Sequence, residues 1–249
     1  MRNLLVRISF IGTRYGGFQV QENAPTVCGE LNRALLAILK HPAEIKGVSR
    51  TDAGVHARDF AFSFRTNNPI PEQGLVRALT ALLPADMGVH SCTEVPEDFH
   101  ARYSCTGKEY AYRFFPSKER DPFLEPFVHR YGGALDVAAM DAAAAHFVGT
   151  HDFSAFRSAG SSTQGSVRTV FRAGVTWEGG LVVFRVAGNG FLYNMVRIMA
   201  GTLLEIGAGR RTADSIDAAL KQGRRTLAGP TAPAKGLCLE QCFYEKKGG

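Results

Sequence analysis

Apolar residues at alternate positions open the chain. Leu4, Val6, Ile8 and Phe10 alternate with Leu5, Arg7 and Ser9, which predicts a first strand over Arg2–Phe10. The same period of two returns at Ala57–Arg65, where Phe60, Phe62 and Phe64 alternate with Ala61 and Ser63, the pattern of a half-buried strand. Between these strands Thr26–Lys40 has helical spacing: Thr26 is a cap, Glu30 lies in the first turn, and Leu31, Leu35, Ile38 and Leu39 form an apolar face. Glu44–Ser49 reads as a strand. Pro71–Leu83 reads as a helix with proline at its start, Leu75, Leu79 and Leu82 inward, and Pro84 as its stop. Met87–Val95 is a further strand. The order is β-α-β-β-α-β.

The second half repeats that order. Lys108–Phe115 alternates Tyr110, Tyr112 and Phe114 against Glu109, Ala111 and Arg113. Asp136–Val148 is a helix capped by Asp136 and ended by Gly149. Val167–Glu178 and Leu181–Ala187 form a hairpin across Gly179-Gly180, a favoured two-residue turn. Phe191–Ile206 and Ala213–Gln222 are helices, and Leu237–Tyr244 is a last strand. The fold expected is α+β, two related ferredoxin-like halves (1–97 and 98–249) whose antiparallel sheets form a central cleft.

The halves differ in one loop. Gly47–Phe64 runs strand, loop, strand, and the loop is Arg50-Thr51-Asp52-Ala53-Gly54-Val55-His56. It sets a carboxylate beside a guanidinium on a turn that glycine tightens. The second half has only Glu178-Gly179-Gly180-Leu181 at the corresponding place. One active site per chain is expected, in the first half. The glycine-rich stretch Gly12–Gln21 lacks the Gly-Lys-Ser/Thr ending of a phosphate loop and reads as a turn packing Tyr15 and Phe18 inward.

Composition narrows the class. At 249 residues, with 45% hydrophobic and 21% charged residues, the chain has the balance of an ordinary globular protein with ample core. No apolar run reaches membrane-spanning length, and because Met1–Phe10 alternates as a strand no signal peptide is expected. A net charge of +6 and a pI near 9.2 suit a polyanionic partner such as RNA. The five cysteines have no C-x-x-C spacing, so reduced thiols are expected rather than zinc or disulfides. His56 and His151-Asp152 do not show metal-ligand spacing on one element.

R-T-D-A-G-V-H at Arg50–His56, followed by the aromatic strand, resembles the catalytic loop of the tRNA pseudouridine synthase A family. Further segments resemble it in the same order: Phe99–Ser104 (F-H-A-R-Y-S), Lys108–Arg113 (K-E-Y-A-Y-R), His151–Phe156 (H-D-F-S-A-F), Asn189–Arg197 (N-G-F-L-Y-N-M-V-R) and Ala232–Leu237 (A-P-A-K-G-L). The resemblance implies isomerisation of uridine to pseudouridine at positions 38, 39 and 40 of the tRNA anticodon stem-loop. It also implies a cytoplasmic homodimer sharing one tRNA, with no metal or organic cofactor and no membrane partner. Position by position it makes Asp52 the catalytic aspartate and Tyr110 a substrate-contacting tyrosine. Arg50 and Arg197 become arginines near the carboxylate, and Leu237 an apolar contact near the base. Ile11 and Phe18 depart from the aspartate and tryptophan usual in the family's first loop.

The residue types suit that chemistry. A free aspartate titrates at about 3.9, so it is ionised at neutral pH and can attack the base at C6 or the sugar at C1′. An arginine holds such a carboxylate oriented and charged. A tyrosine can stack on uracil and offer a phenol for the C5 proton. A paired base must first be flipped out, and Arg50 is placed to fill its space. Two other readings predict differently. A non-catalytic βαββαβ RNA-binding module makes Asp52 dispensable, and a metal-dependent hydrolase using Asp52 and histidines is stopped by chelator.

Overall fold

The computed structural model describes residues 1–160 and 165–244. They form two compact units: Met1–Thr106 with the chain from Leu239 onward, and Gly107–Cys238. The sequence pattern had placed the last strand with the second half; from Leu239 it belongs to the first unit.

In the first unit the order is β1 (Arg2–Phe10), α1 (Val27–Leu39), β2 (Lys46–Gly47), β3 (His56–Thr66), α2 (Glu72–Leu82) and β4 (Met87–Val95). The strands align β4-β1-β3, with β2 on the far side of β3, and every pairing among them is antiparallel. This is the split βαβ arrangement expected from the repeat. Leu4, Val6 and Ile8 stand opposite Phe64, Phe62 and Phe60, so aliphatic–aromatic pairs run down the centre of the sheet. Thr26 caps α1 by accepting from Gly29 N at 3.1 Å.

Three details depart from the pattern. β3 is buried on both faces, since Ala61 and Ser63 are as enclosed as the phenylalanines; Ser63 Oγ accepts a buried hydrogen bond from Ala101 N, so the connector after β4 reaches that small-residue side. Leu82 is 38% exposed and Leu83 is the buried one, because α2 ends at Leu82 and the extended Leu83 turns inward. The strand expected over Glu44–Ser49 is shorter, covering Lys46–Gly47.

The second unit holds β5 (Gly107–Pro116), β6 (His129–Tyr131), α3 (Val137–Ala144), β7 (Gly149–Asp152), β8 (Val167–Glu178), β9 (Leu181–Gly188), α4 (Met195–Gly207) and α5 (Asp214–Gln222). Its strands align β5-β9-β8-β7, the first three repeating the β1-β3-β2 order, all antiparallel. The short β6 runs parallel to β5 and, like β7, was not expected from the sequence. Gly179 and Gly180 take φ of 55° and 82°, which the β8–β9 hairpin turn requires at both positions. Asp136 caps α3 through Ala139 N at 2.9 Å, but α3 stops at Ala144 and a 3-10 turn continues to Phe147. The helix expected from Phe191 starts only at Met195, since Asn194 before it is left-handed, φ 59°. Met195 and Met199 are core residues.

The final strand, β10 (Leu237–Phe243), lies beside β3. Cys242 N donates to Asp59 Oδ2 at 3.0 Å, and the Arg7 guanidinium meets the same carboxylate oxygen at 2.5 Å. All five cysteines are free thiols, and burial pushes the Cys92 thiol up to about 11. Among the described residues no helix is long and apolar enough to cross a membrane.

Candidate active site

The loop between β2 and β3 begins under restraint. Val48 is fully buried and its N–H bonds Ala61 O at 2.8 Å, so pairing persists one residue past β2. The chain then surfaces: Arg50 is exposed and Asp52 half-buried. Val55 N donates to Asp52 O at 3.2 Å and Gly54 has φ of 78°. This closes a four-residue turn that needs glycine at its third position. Val55 and His56 are then buried, at 2% and 5% exposure, as β3 begins.

A second loop grips this turn. Phe18 N donates to Thr51 O at 3.0 Å, Gly54 N to Tyr15 O at 3.2 Å, and Gly12 N to His56 Nδ1 at 3.0 Å. Asp52 is therefore held on both sides by backbone of the stretch 12–18. The fit leaves no room for side chains. A Cβ on Gly12 would lie 1.9 Å from Val55 O, and one on Gly17, already at φ 104°, would lie 2.7 Å from Thr51 O. Tyr15 and Phe18 are buried, as expected of this loop. Tyr15 Oη donates to Asp86 Oδ1 at 2.6 Å, and Phe18 stacks on Phe60 at 4.6 Å. Phe18, one of the two departures in this loop, thus belongs to the core, while Ile11, the other, is 40% exposed.

His56 has a structural part, because its Nδ1 accepts a backbone N–H and so carries no proton. Thr51 is different. Its Oγ1 is buried with no hydrogen-bond partner among the described residues. An unsatisfied buried hydroxyl costs about 1–3 kcal/mol. Thr51→Val, of nearly the same shape, is expected to raise the unfolding free energy by about 1 kcal/mol. Equilibrium urea unfolding checks this, and a clear loss of stability would mean that the hydroxyl is satisfied in solution.

The remaining residues singled out in the sequence lie in or at the edge of the second unit. Tyr110, on β5, is 6% exposed and meets Phe191 edge-on at 5.2 Å. Arg197 is half-buried in the first turn of α4. Its Nε donates to Ala232 O at 2.8 Å and its Nη1 to Asn194 Oδ1 at 2.6 Å, while Ala232 N returns a bond to Arg197 O at 3.1 Å. Leu237, 6% exposed, is the first residue of β10. Ala232–Leu237 also closes on β5: Tyr112 Oη donates to Pro233 O at 2.8 Å, and a Cβ on Gly236 would lie 2.7 Å from the Tyr112 ring. Burial drives the Tyr112 phenol far above its ordinary range, with the Arg197 charge a smaller opposing effect.

Arg50 and Asp52 thus share one braced turn, and Arg197 is tied to the segment that leads to Leu237. Sequence reasoning missed the bracing by Gly12 and Gly17 and the support from Tyr112. The glycines were visible as a cluster, but their reason is contact with residues about forty positions on, which no local spacing encodes. His151 Nε2 bonds Val148 O at 3.0 Å, and among the described residues no three His, Cys, Asp or Glu side chains gather as a metal would need.

A family model described as tRNA pseudouridine synthase matches residues 7–104 and 143–245. The tRNA pseudouridine synthase A of Acetivibrio thermocellus is 43% identical over 244 residues, covering 98% of this chain and 100% of that one. That of Anoxybacillus flavithermus is 44% identical over 246 residues, with 98% and 100% covered. That of Exiguobacterium sibiricum is 43% identical over 250 residues, with 100% of both covered. A solved Cbf5-Nop10-Gar1 complex is a distant likeness only, with a TM-score of 0.37 and 14% identity over 81% of this chain and 45% of that one. With both halves matched and full-length relatives above two-fifths identity, the chain belongs to the tRNA pseudouridine synthase family, isomerases that convert uridine in tRNA to pseudouridine.

Proposed function

We propose that this chain isomerises uridines 38, 39 and 40 in the anticodon stem-loop of tRNA, in the cytoplasm and as a homodimer, with the Asp52 carboxylate as nucleophile. The observation that carries the reading is the Asp52 turn itself, a half-exposed aspartate on a turn whose neighbouring residues Thr51, Gly54 and His56 are tied by three hydrogen bonds to a glycine loop. Such bracing supplies the orientation that nucleophilic attack requires. Attack at C6 of the base or at C1′ of the sugar both use this carboxylate. The reaction breaks the bond from C1′ to N1, turns the uracil and forms the bond from C1′ to C5. The C5 proton is lost and N1 gains one, so the product is an isomer and no redox partner enters.

Arg50, exposed beside the nucleophile, fills the space of the flipped nucleotide and keeps Asp52 oriented. Tyr110 stacks on the uracil and serves the C5 proton. Arg197 adds charge complementarity to the carboxylate and Leu237 an apolar surface for the base. The substrate's phosphates account for the excess of basic residues, with a salt-dependent affinity as the consequence.

The test is position-resolved detection of pseudouridine in unmodified tRNA transcripts, with chelator present throughout. Product at 38, 39 and 40, and nowhere else, is the expected result. Product at other positions would leave the reaction standing and remove the anticodon assignment. No product from folded protein that binds tRNA would return the chain to a binding role.

A further inference from the structure

The connector after β4 exposes an aromatic residue on an unusually well-anchored turn. Buried Asn3 donates from Nδ2 to Pro96 O at 2.9 Å and to Phe99 O at 2.8 Å. Ala101, with no exposure, donates from N to Ser63 Oγ at 3.0 Å and accepts at O from Tyr244 Oη at 2.6 Å. His100 N donates to Ser104 Oγ at 3.1 Å and Ser104 N returns to His100 O at 2.9 Å. Arg102 N donates to His100 Nδ1 at 3.1 Å. Each of these residues is in the first unit.

On this base Tyr103 is 79% exposed. Its ring lies 4.4 Å from the His100 imidazole, and the Arg102 guanidinium is 5.9 Å from its centroid. Burial, then the Lys46 charge, and to a lesser degree Arg102, hold His100 toward its neutral form, consistent with Nδ1 acting as acceptor. Arg102 makes no ion pair among the described residues. An exposed aromatic gains the fold almost nothing, yet the hydrogen bonds of His100, Ala101, Arg102 and Ser104 fix the backbone on both sides of this one. An exposed ring on a fixed backbone, beside a guanidinium with no ion pair among the described residues, complements a nucleobase with its adjoining phosphate.

We propose that Tyr103, backed by His100, is a stacking platform for one unpaired base of the RNA substrate, and that Arg102 takes the neighbouring phosphate. The proposal rests on the reading above that the substrate is tRNA. Tyr103 acts as a positioning residue: it adds to binding and takes no part in bond making. One stacked base contributes between about fivefold and a hundredfold to affinity.

The experiment measures tRNA affinity by fluorescence anisotropy over a salt series, with kcat and KM for pseudouridine formation, for Tyr103→Ala, Tyr103→Phe and Arg102→Ala. Tyr103→Ala is expected to raise Kd and KM about tenfold, leaving kcat, thermal midpoint and salt slope as in the parent. Tyr103→Phe keeps the ring and is expected to bind as the parent does. Arg102→Ala is expected to lower the salt slope by about one. Parental Kd and KM in Tyr103→Ala overturn the platform, as does a change in sedimentation mass, which assigns the face to a second copy of the chain. A parent protein that binds tRNA without forming pseudouridine sinks the catalytic reading alone, and the Kd comparison still decides the platform.

Discussion

Asp52→Asn is expected to lower pseudouridine formation by at least about ten-thousandfold while leaving the fold and tRNA affinity in place. Loss of a nucleophile removes the reaction path and not merely one interaction, and such losses reach about a millionfold where they have been measured in other enzymes. Asparagine matches aspartate in size and has no anionic oxygen to attack with. The turn survives the change. Residue 52 gives the turn its backbone carbonyl, which accepts from Val55 N at 3.2 Å and which asparagine keeps, and the bracing bonds fall on Thr51 O, Gly54 N and His56 Nδ1. The half-buried side chain leaves no cavity when replaced by one of equal volume. Single-turnover assays at saturating enzyme measure the chemical step, and circular dichroism with anisotropy titration shows that fold and binding persist. Activity within tenfold of the parent would falsify the nucleophile assignment.

The turn that carries Asp52 was legible because its determinants are local. Asp-Ala-Gly signals a turn, and the aromatic alternation after it fixes where β3 begins. The two-half repeat was legible for a related reason. Alternation in β1, β3 and β5, the spacing in α1 and the Gly179-Gly180 turn before β9 are properties of windows of a dozen residues. Features set by long-range contact were not legible. Whether Leu82 or Leu83 turns inward depends on where α2 stops, and the start of α4 is set by the left-handed Asn194, whose Nδ2 bonds Ser158 Oγ at 3.0 Å. The three-residue β6 and four-residue β7 are too short to show a period and exist because β5 and β8 offer them an edge. Tyr110 was readable as a strand aromatic, and Arg197 only through the resemblance, as an arginine near the carboxylate. That Arg197 binds Ala232 O and Asn194 Oδ1 follows only once residues 194–197 and 232 are adjacent.

Gly12→Ala is expected to cost about 2–4 kcal/mol of stability and, in the folded protein, to lower kcat about a hundredfold. The three atoms nearest an added Cβ are all backbone: Val55 O at 1.9 Å, Val55 C at 2.5 Å and Val55 N at 3.0 Å. No side chain can rotate away to admit a methyl group, so either the 12–14 turn or the start of β3 must shift by more than 1 Å. Both movements break the bond from Gly12 N to His56 Nδ1, and both reach Asp52, three residues from Val55. Misplacement of a reacting group by about 1 Å is worth about a hundredfold in rate. Gly209→Ala is the control for glycine as such. It sits at φ 70° with nothing within 4 Å of an added Cβ, so the same substitution there costs backbone strain of about 1 kcal/mol and is expected to leave kcat unchanged. Urea unfolding gives the two stabilities, and kcat is compared at a temperature where both variants are fully folded. If Gly12→Ala loses stability and keeps its rate, the glycine loop is packing around a turn that orients Asp52 unaided. If both fall, and KM for tRNA stays near the parent value, the close approach of two backbones is what aims the carboxylate.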